Sequence, residues 1–251
     1  MKERKRFRRG AYIIPSLFTT GNLLCGYIAV VRSLQGEYEW AAVALFVAAL
    51  LDRVDGWVAR LTGTTSDFGV QLDSLADVIS FGMAPALMVY MWALAALPKP
   101  WSLAPFLYLA AGAARLARFN IQAPAQDKRY FVGLPIPAGA CALAACVFYN
   151  PARVTDPLAA GLVALLVATL AVLMVSKARY RSFKEIDMKR RTRWVVVIVP
   201  VLIYIVVIAS PQLVALVLSF SYLLSGLFPR LTAATRPETN RATAEGLHGS
   251  P

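Results

Sequence analysis

Histidine is all but missing from this chain: the only one among 251 residues is His248, in a polar stretch near the end. A histidine base near any buried site is therefore not expected, which leaves carboxylates to accept protons. Cysteine is nearly as scarce. Cys25, Cys141 and Cys146 all lie in apolar runs without metal-type spacing, so they read as small buried residues and imply no disulfide framework. Acids are few as well, 14 Asp and Glu against 26 Lys and Arg. Only 16% of the residues are charged while 58% are hydrophobic, and the mean hydropathy is +0.58. That balance excludes a pair of soluble domains and indicates one polytopic membrane domain. The net charge of +12 and the pI near 10.0 are spread among short loops. Such a pattern reports membrane topology and contact with anionic lipids, and no nucleic-acid partner is expected. No cleavable signal peptide is expected either, because Met1 to Arg9 leads into a full-length apolar segment.

Where so few acids exist, their placement carries information. Asp52, Asp55, Asp73 and Asp77 lie in strongly apolar sequence, where carboxylates are expensive and usually functional. On helices, Asp52 shares a face with Asp55, and Asp73 with Asp77. The turn-like Thr62-Gly63-Thr64-Thr65-Ser66-Asp67 between the pairs suits a helical hairpin, which would bring four carboxylates together. Asp52, Asp55, Gly56, Ala59 and Arg60 form one helical stripe, and Gly69, Asp73 and Asp77 form a second. Two small residues beside the acids leave room for a ligand, and Arg60 offers a fork of donors to phosphate. Oxygen ligands around phosphate favour a hard divalent cation such as Mg2+ or Mn2+. The same acids would also suit a cation transporter, or buried pairs with a structural role.

The complete pattern D-x2-D-G-x2-A-R-x8-G-x3-D-x3-D, from Asp52 to Asp77, resembles the signature of the CDP-alcohol phosphatidyltransferase family. The stretches DSLADVISFGMAPA (Asp73 to Ala86), ARLARFN (Ala114 to Asn120) and FVGLPIPA (Phe131 to Ala138) resemble the branch of that family whose acceptor is serine. The similarity covers roughly residues 10 to 145. It implies transfer of a phosphatidyl group from CDP-diacylglycerol to L-serine with two divalent cations. By resemblance, Asp52, Asp55 and Asp73 hold one cation, Asp73 and Asp77 bear on the second, and Asp77 is the general base. Arg60 would contact the pyrophosphate, Gly56 and Ala59 would make room for the cytidine, and Gly69 would allow close helix approach. Ser66 would bond phosphate or ribose, or else cap a helix. A serine carboxylate wants a bidentate arginine, and Arg115, Arg118 and Asn120 are the candidates; positive-inside anchoring is their alternative role. Glycerol 3-phosphate or an inositol phosphate remains an alternative acceptor. The resemblance also implies a homodimer.

In chain order, residues 1–10 form a basic cytoplasmic arm, 11–229 the membrane domain, and 230–251 a polar tail expected to be disordered. Spanning segments are expected at about 12–33, 39–62, 68–96, 102–121, 136–150, 157–176, 194–210 and 212–229, giving an all-α membrane helical bundle of about eight helices. The polar cluster Thr19-Thr20-Gly21-Asn22 suits interhelical hydrogen bonding, with Thr20 or Asn22 lining a nucleotide pocket as the functional alternative. All Lys and Arg except Arg32, Lys99 and Arg153 then fall on one side. This puts both termini in the cytoplasm and the acidic hairpin near the cytoplasmic face of the inner membrane.

Overall fold

The computed structural model describes residues 13–62, 67–98, 100–122, 130–176, 179–181 and 209–225. Helix α1 (Ile13–Leu34) and helix α2 (Tyr38–Thr62) form an antiparallel pair. Their turn is fixed by Gly36, at φ +78°, with Gly36 N donating to Ser33 O and Glu37 N to Arg32 O. This double bond to the preceding helical turn is a C-terminal cap that favours glycine. Arg32 also pairs with Glu37 across the turn. The pair is close because the facing positions are small: Ala29, Ala41, Ala42 and Ala48 are all fully buried.

The next helical stretch was expected to be a plain α-helix over 68–96, and it is not. It runs as α3 (Asp67–Asp77), a π turn (Val78–Met83), α4 (Ala84–Val89) and a second π turn (Tyr90–Leu94). Pro85 supplies the reason for the first π turn. It has no N–H to give the carbonyl four residues back, that of Phe81, and its ring crowds that carbonyl. The helix widens, and Ala84 N bonds Ile79 O instead. The freed Phe81 carbonyl accepts from the hydroxyl of Tyr108 at 3.0 Å. At the second π turn Ala95 N reaches Tyr90 O, and the carbonyl of Met91 accepts from Tyr38 Oη at 3.0 Å. Two buried tyrosines thus satisfy carbonyls that the irregular turns would otherwise strand.

A 3-10 turn (Trp101–Leu103) leads into α5 (Ala104–Gln122), which packs along α7 (Pro157–Val175). Helix α6 (Ile136–Tyr149) lies between α2 and α8 (Pro211–Ser225). Pro135, extended at φ −59° and ψ 137°, leads into α6, with Pro137 in the first turn of that helix. Gly133, at φ +83°, passes so close to the carbonyl of Met174 that a β-carbon would collide with it. Leu134 N donates to Leu173 O there, pinning the entry of α6 to the end of α7. Asp156 caps α7 by accepting from Ala159 N at 2.9 Å, with Pro157 in the first turn. At the end away from the acids, Trp92 Nε1 donates to the carbonyls of Asn150 and Ala152.

The fold is not wholly helical. A ribbon of β1 (Tyr130–Val132) and β2 (Arg179–Arg181), antiparallel with Phe131 opposite Tyr180, joins two segments that lie between expected spans. Among the described residues, three helical stretches are long and apolar enough to cross a membrane: Leu17–Leu34, Phe68–Leu94 and Pro157–Val175. Ile136–Tyr149 and Pro211–Leu224 are apolar but shorter. The expected spans at 39–62 and 102–121 form α2 and α5, while most of the one at 194–210 lies outside the described residues, as do the arm and the tail.

Candidate active site

The acids of α2 and α3 meet. One carboxylate oxygen from each of Asp52, Asp55 and Asp73 lies within 4.8 Å of the others, and the Asp77 carboxyl contacts that of Asp52. Asp55 and Asp77 are buried, at 5% and 8% exposure, while Asp52 and Asp73 are partly so. Four like charges that close repel strongly in a poorly solvated setting. Asp73 Oδ1 is buried with no hydrogen-bond partner among the described residues, and Asn22 Oδ1 is in the same position. Clustered hard oxygens with an unsatisfied member are the donor set a divalent cation takes.

Helix α1 supplies the wall opposite the acids. Thr19 Oγ1 donates to Asp55 Oδ2 at 3.2 Å, and Asn22 Nδ2 donates to Asp77 Oδ1 at 3.3 Å. Asn22 is fully buried and is held by its own backbone, whose carbonyl accepts from Ser80 Oγ at 3.0 Å. A β-carbon on Gly26, one turn along, would lie 2.7 Å from Ser80 Cα, so only glycine fits against that π turn. Of the polar cluster on α1, Thr20 is the exposed member. Thr19 reaches Asp55, a role the sequence signalled only as part of a polar run.

The remaining expected residues fall as follows. Gly56 and Gly69 are half-buried on α2 and α3. Ala59 and Arg60 lie on α2, but their side chains are outside the described set, and Ser66 lies outside the described residues. Arg115 is 7% exposed, and its Nε has no hydrogen-bond partner among the described residues. Its guanidinium is near enough for its charge to act on Asp77, Arg118 and the Tyr222 hydroxyl of α8. Arg118 Nη1 donates to Val175 O at 3.1 Å, while its Nη2 is buried without a partner among the described residues. Asn120 is drawn elsewhere: its Nδ2 donates to Ser74 Oγ at 2.9 Å. Tyr222 and Ser74 were not singled out from sequence; neither belongs to an acidic or basic stripe. The three cysteines are free and half-buried.

The site as built places a cluster of carboxylates beside a buried arginine with unspent donor capacity. It can bind cations on one side and an anionic group on the other. The comparisons with known proteins agree in kind. The family model described as CDP-alcohol phosphatidyltransferase matches residues 12–176. A CDP-diacylglycerol–serine O-phosphatidyltransferase of Helicobacter pylori (strain ATCC 700392 / 26695) is 38% identical over 176 residues, covering 70% of this chain and 74% of that protein. One of Bacillus subtilis (strain 168) is 37% identical over 174 residues, 68% of this chain and 92% of that protein. An archaetidylserine synthase of Methanothermobacter thermautotrophicus is 35% identical over 169 residues, 66% of this chain and 69% of that protein.

Proposed function

Because this chain belongs to the CDP-alcohol phosphatidyltransferase family, we propose that it transfers the phosphatidyl group of CDP-diacylglycerol to the hydroxyl of L-serine. The products are phosphatidylserine and CMP. Support comes from the relatives, whose names share serine as acceptor or product. The observation that carries the chemistry is the clustering of Asp52, Asp55 and Asp73 within 4.8 Å.

The protein is an integral membrane enzyme, and we place its site near the cytoplasmic face of the inner membrane, where a water-soluble nucleotide can come and go. Asp52, Asp55 and Asp73 would hold one divalent cation, Mg2+ or Mn2+, and Asp73 with Asp77 would bear on a second. Such cations neutralise charge on a pyrophosphate and on the departing CMP. Arg60, Gly56, Ala59 and Gly69 would seat the nucleotide, with Ser66 at its phosphate or ribose. Asn22, which donates to Asp77 Oδ1 at 3.3 Å, would border the nucleotide as well. Arg115, with a free Nε, and Arg118, with a free Nη2 among the described residues, suit the serine carboxylate.

Asp77 accepts the serine hydroxyl proton as that oxygen attacks the phosphorus bearing diacylglycerol. The oxygen–phosphorus bond forms, the bond between phosphorus and the bridging oxygen breaks, and CMP leaves with that oxygen. Carboxylates suit this role in a chain whose only histidine is His248. A pair of identical chains is the expected assembly.

Purified protein given CDP-diacylglycerol, labelled serine and Mn2+ or Mg2+ should release CMP and label phosphatidylserine. Turnover with glycerol 3-phosphate and none with serine would reassign the acceptor. Metal-linked cation flux in liposomes, without nucleotide dependence, would favour a transporter. Asp77→Asn should lower kcat by about 1,000-fold or more while CDP-diacylglycerol still binds. Equal loss of binding and rate would count against the base assignment.

A further inference from the structure

We infer that α5 is a two-point clamp that sets the alignment of Asp77, and that Asn120 and Tyr108 are its positioning residues. The inference rests on the reading of Asp77 as the proton acceptor. Asn120 Nδ2 donates to Ser74 Oγ at 2.9 Å, three residues before Asp77. Tyr108 Oη donates to Phe81 O at 3.0 Å, four residues after it. The two bonds flank Asp77 along the chain, three residues before it and four after, and both come from α5. Arg115 lies on α5 between the two fasteners, near enough for its charge to act on Asp77.

A clamp is needed at this place. The π turn begins at Val78, directly after Asp77, and a π turn lacks the regular bonding that fixes the azimuth of an α-helix. Pro85 makes the irregularity permanent by withholding the N–H that Phe81 O would otherwise accept. Tyr108 is fully buried and supplies the missing donor from the neighbouring helix. At the other end the direction of the bond is fixed. Ser74 Oγ already donates its one proton to Val70 O at 2.9 Å, so it can only accept from Asn120. Beside the lower fastener, a β-carbon on Gly82 would lie 2.9 Å from Leu109 Cδ1, so α5 and the π turn touch closely.

The acceptor carries its hydroxyl and its carboxylate a few bonds apart. If Arg115 holds one and Asp77 takes the proton of the other, their mutual placement decides the rate. Asn120 therefore acts through Ser74 and Asp77 instead of touching serine.

Asn120→Ala, Ser74→Ala, the double variant and Tyr108→Phe test the clamp. Steady-state kinetics for serine and CDP-diacylglycerol are read alongside the melting midpoint in detergent. Each single variant should lower kcat about 10-fold and leave KM for serine within about twofold. The Asn120→Ala/Ser74→Ala double variant should be no slower than either single one, because both remove the same bond. A raised KM for serine at unchanged kcat in Asn120→Ala would make Asn120 a serine ligand and overturn the clamp. So would additive losses in the double variant, or a Tyr108→Phe protein that melts earlier with kcat per folded molecule unchanged. Should the wild type use another alcohol, the same cycle is run with that alcohol. The acceptor assignment then fails without touching the clamp.

Discussion

Thr19 and Asn22 show how a cluster of acids is kept usable. A carboxylate free to turn would fold toward its nearest neighbour with a donor; here α1 engages one oxygen of Asp55 and one of Asp77, which limits how far either can turn. Partners that orient ligating groups typically shift metal affinity by 10- to 100-fold when removed. Thr19→Val is therefore expected to raise the half-saturating Mn2+ concentration about 10-fold. It is read as the Mn2+ dependence of the melting midpoint, with no substrate present. An unchanged Mn2+ dependence would make the Thr19 bond an ordinary helix contact. The acids themselves were legible in the sequence because a charge in apolar surroundings has few reasons to exist. Their hydroxyl and amide partners were visible only as a polar run. Which member of Thr19 and Thr20 turns inward depends on the azimuth of α1, and that is set by packing against α2 and the π turn.

At the scale of elements, two tyrosines do the same chemistry at different distances from the acids. Tyr108 serves the π turn that follows Asp77, and Tyr38 serves the one at Tyr90–Leu94, at the far end of the same stretch. Removing either hydroxyl strands a buried carbonyl, at a cost of about 1–3 kcal/mol. Tyr38→Phe is accordingly expected to lower the melting midpoint with kcat unchanged, in contrast to Tyr108→Phe. A matching fall in kcat for Tyr38→Phe would mean that the whole stretch moves as one rod. Helix positions followed well from apolar run length: the expected 12–33, 39–62 and 136–150 became Ile13–Leu34, Tyr38–Thr62 and Ile136–Tyr149. The π turns did not follow. Pro85 was the available signal, since a proline deep in a helical pattern breaks one bond, but sequence does not say whether the helix kinks, ends or widens. The ribbon between Tyr130–Val132 and Arg179–Arg181 escaped for another reason: its two strands are too short to show alternation and pair across a long separation.

For the whole molecule, the acids lie toward one end of the bundle, and the α1–α2 turn and the Trp92 contacts lie toward the other. Among the described residues, Arg53 lies by Asp52 and Arg115 by Asp77, while Arg32 and Arg153 lie toward the far end; under the proposed topology the end with the acids is expected to face the cytoplasm. Gln35 is exposed in the α1–α2 turn. In a background carrying Cys25→Ala, Cys141→Ala and Cys146→Ala, Gln35→Cys should react with a membrane-impermeant maleimide from the outside of right-side-out vesicles. Reaction only after permeabilisation would invert the orientation. The contact of Gly26 with Ser80 bears on how α1 is held. A helix seated so tightly that one methyl group would not fit has no clearance at that point, so α1 is expected to keep its place against the π turn, and Gly26→Ala to disturb both.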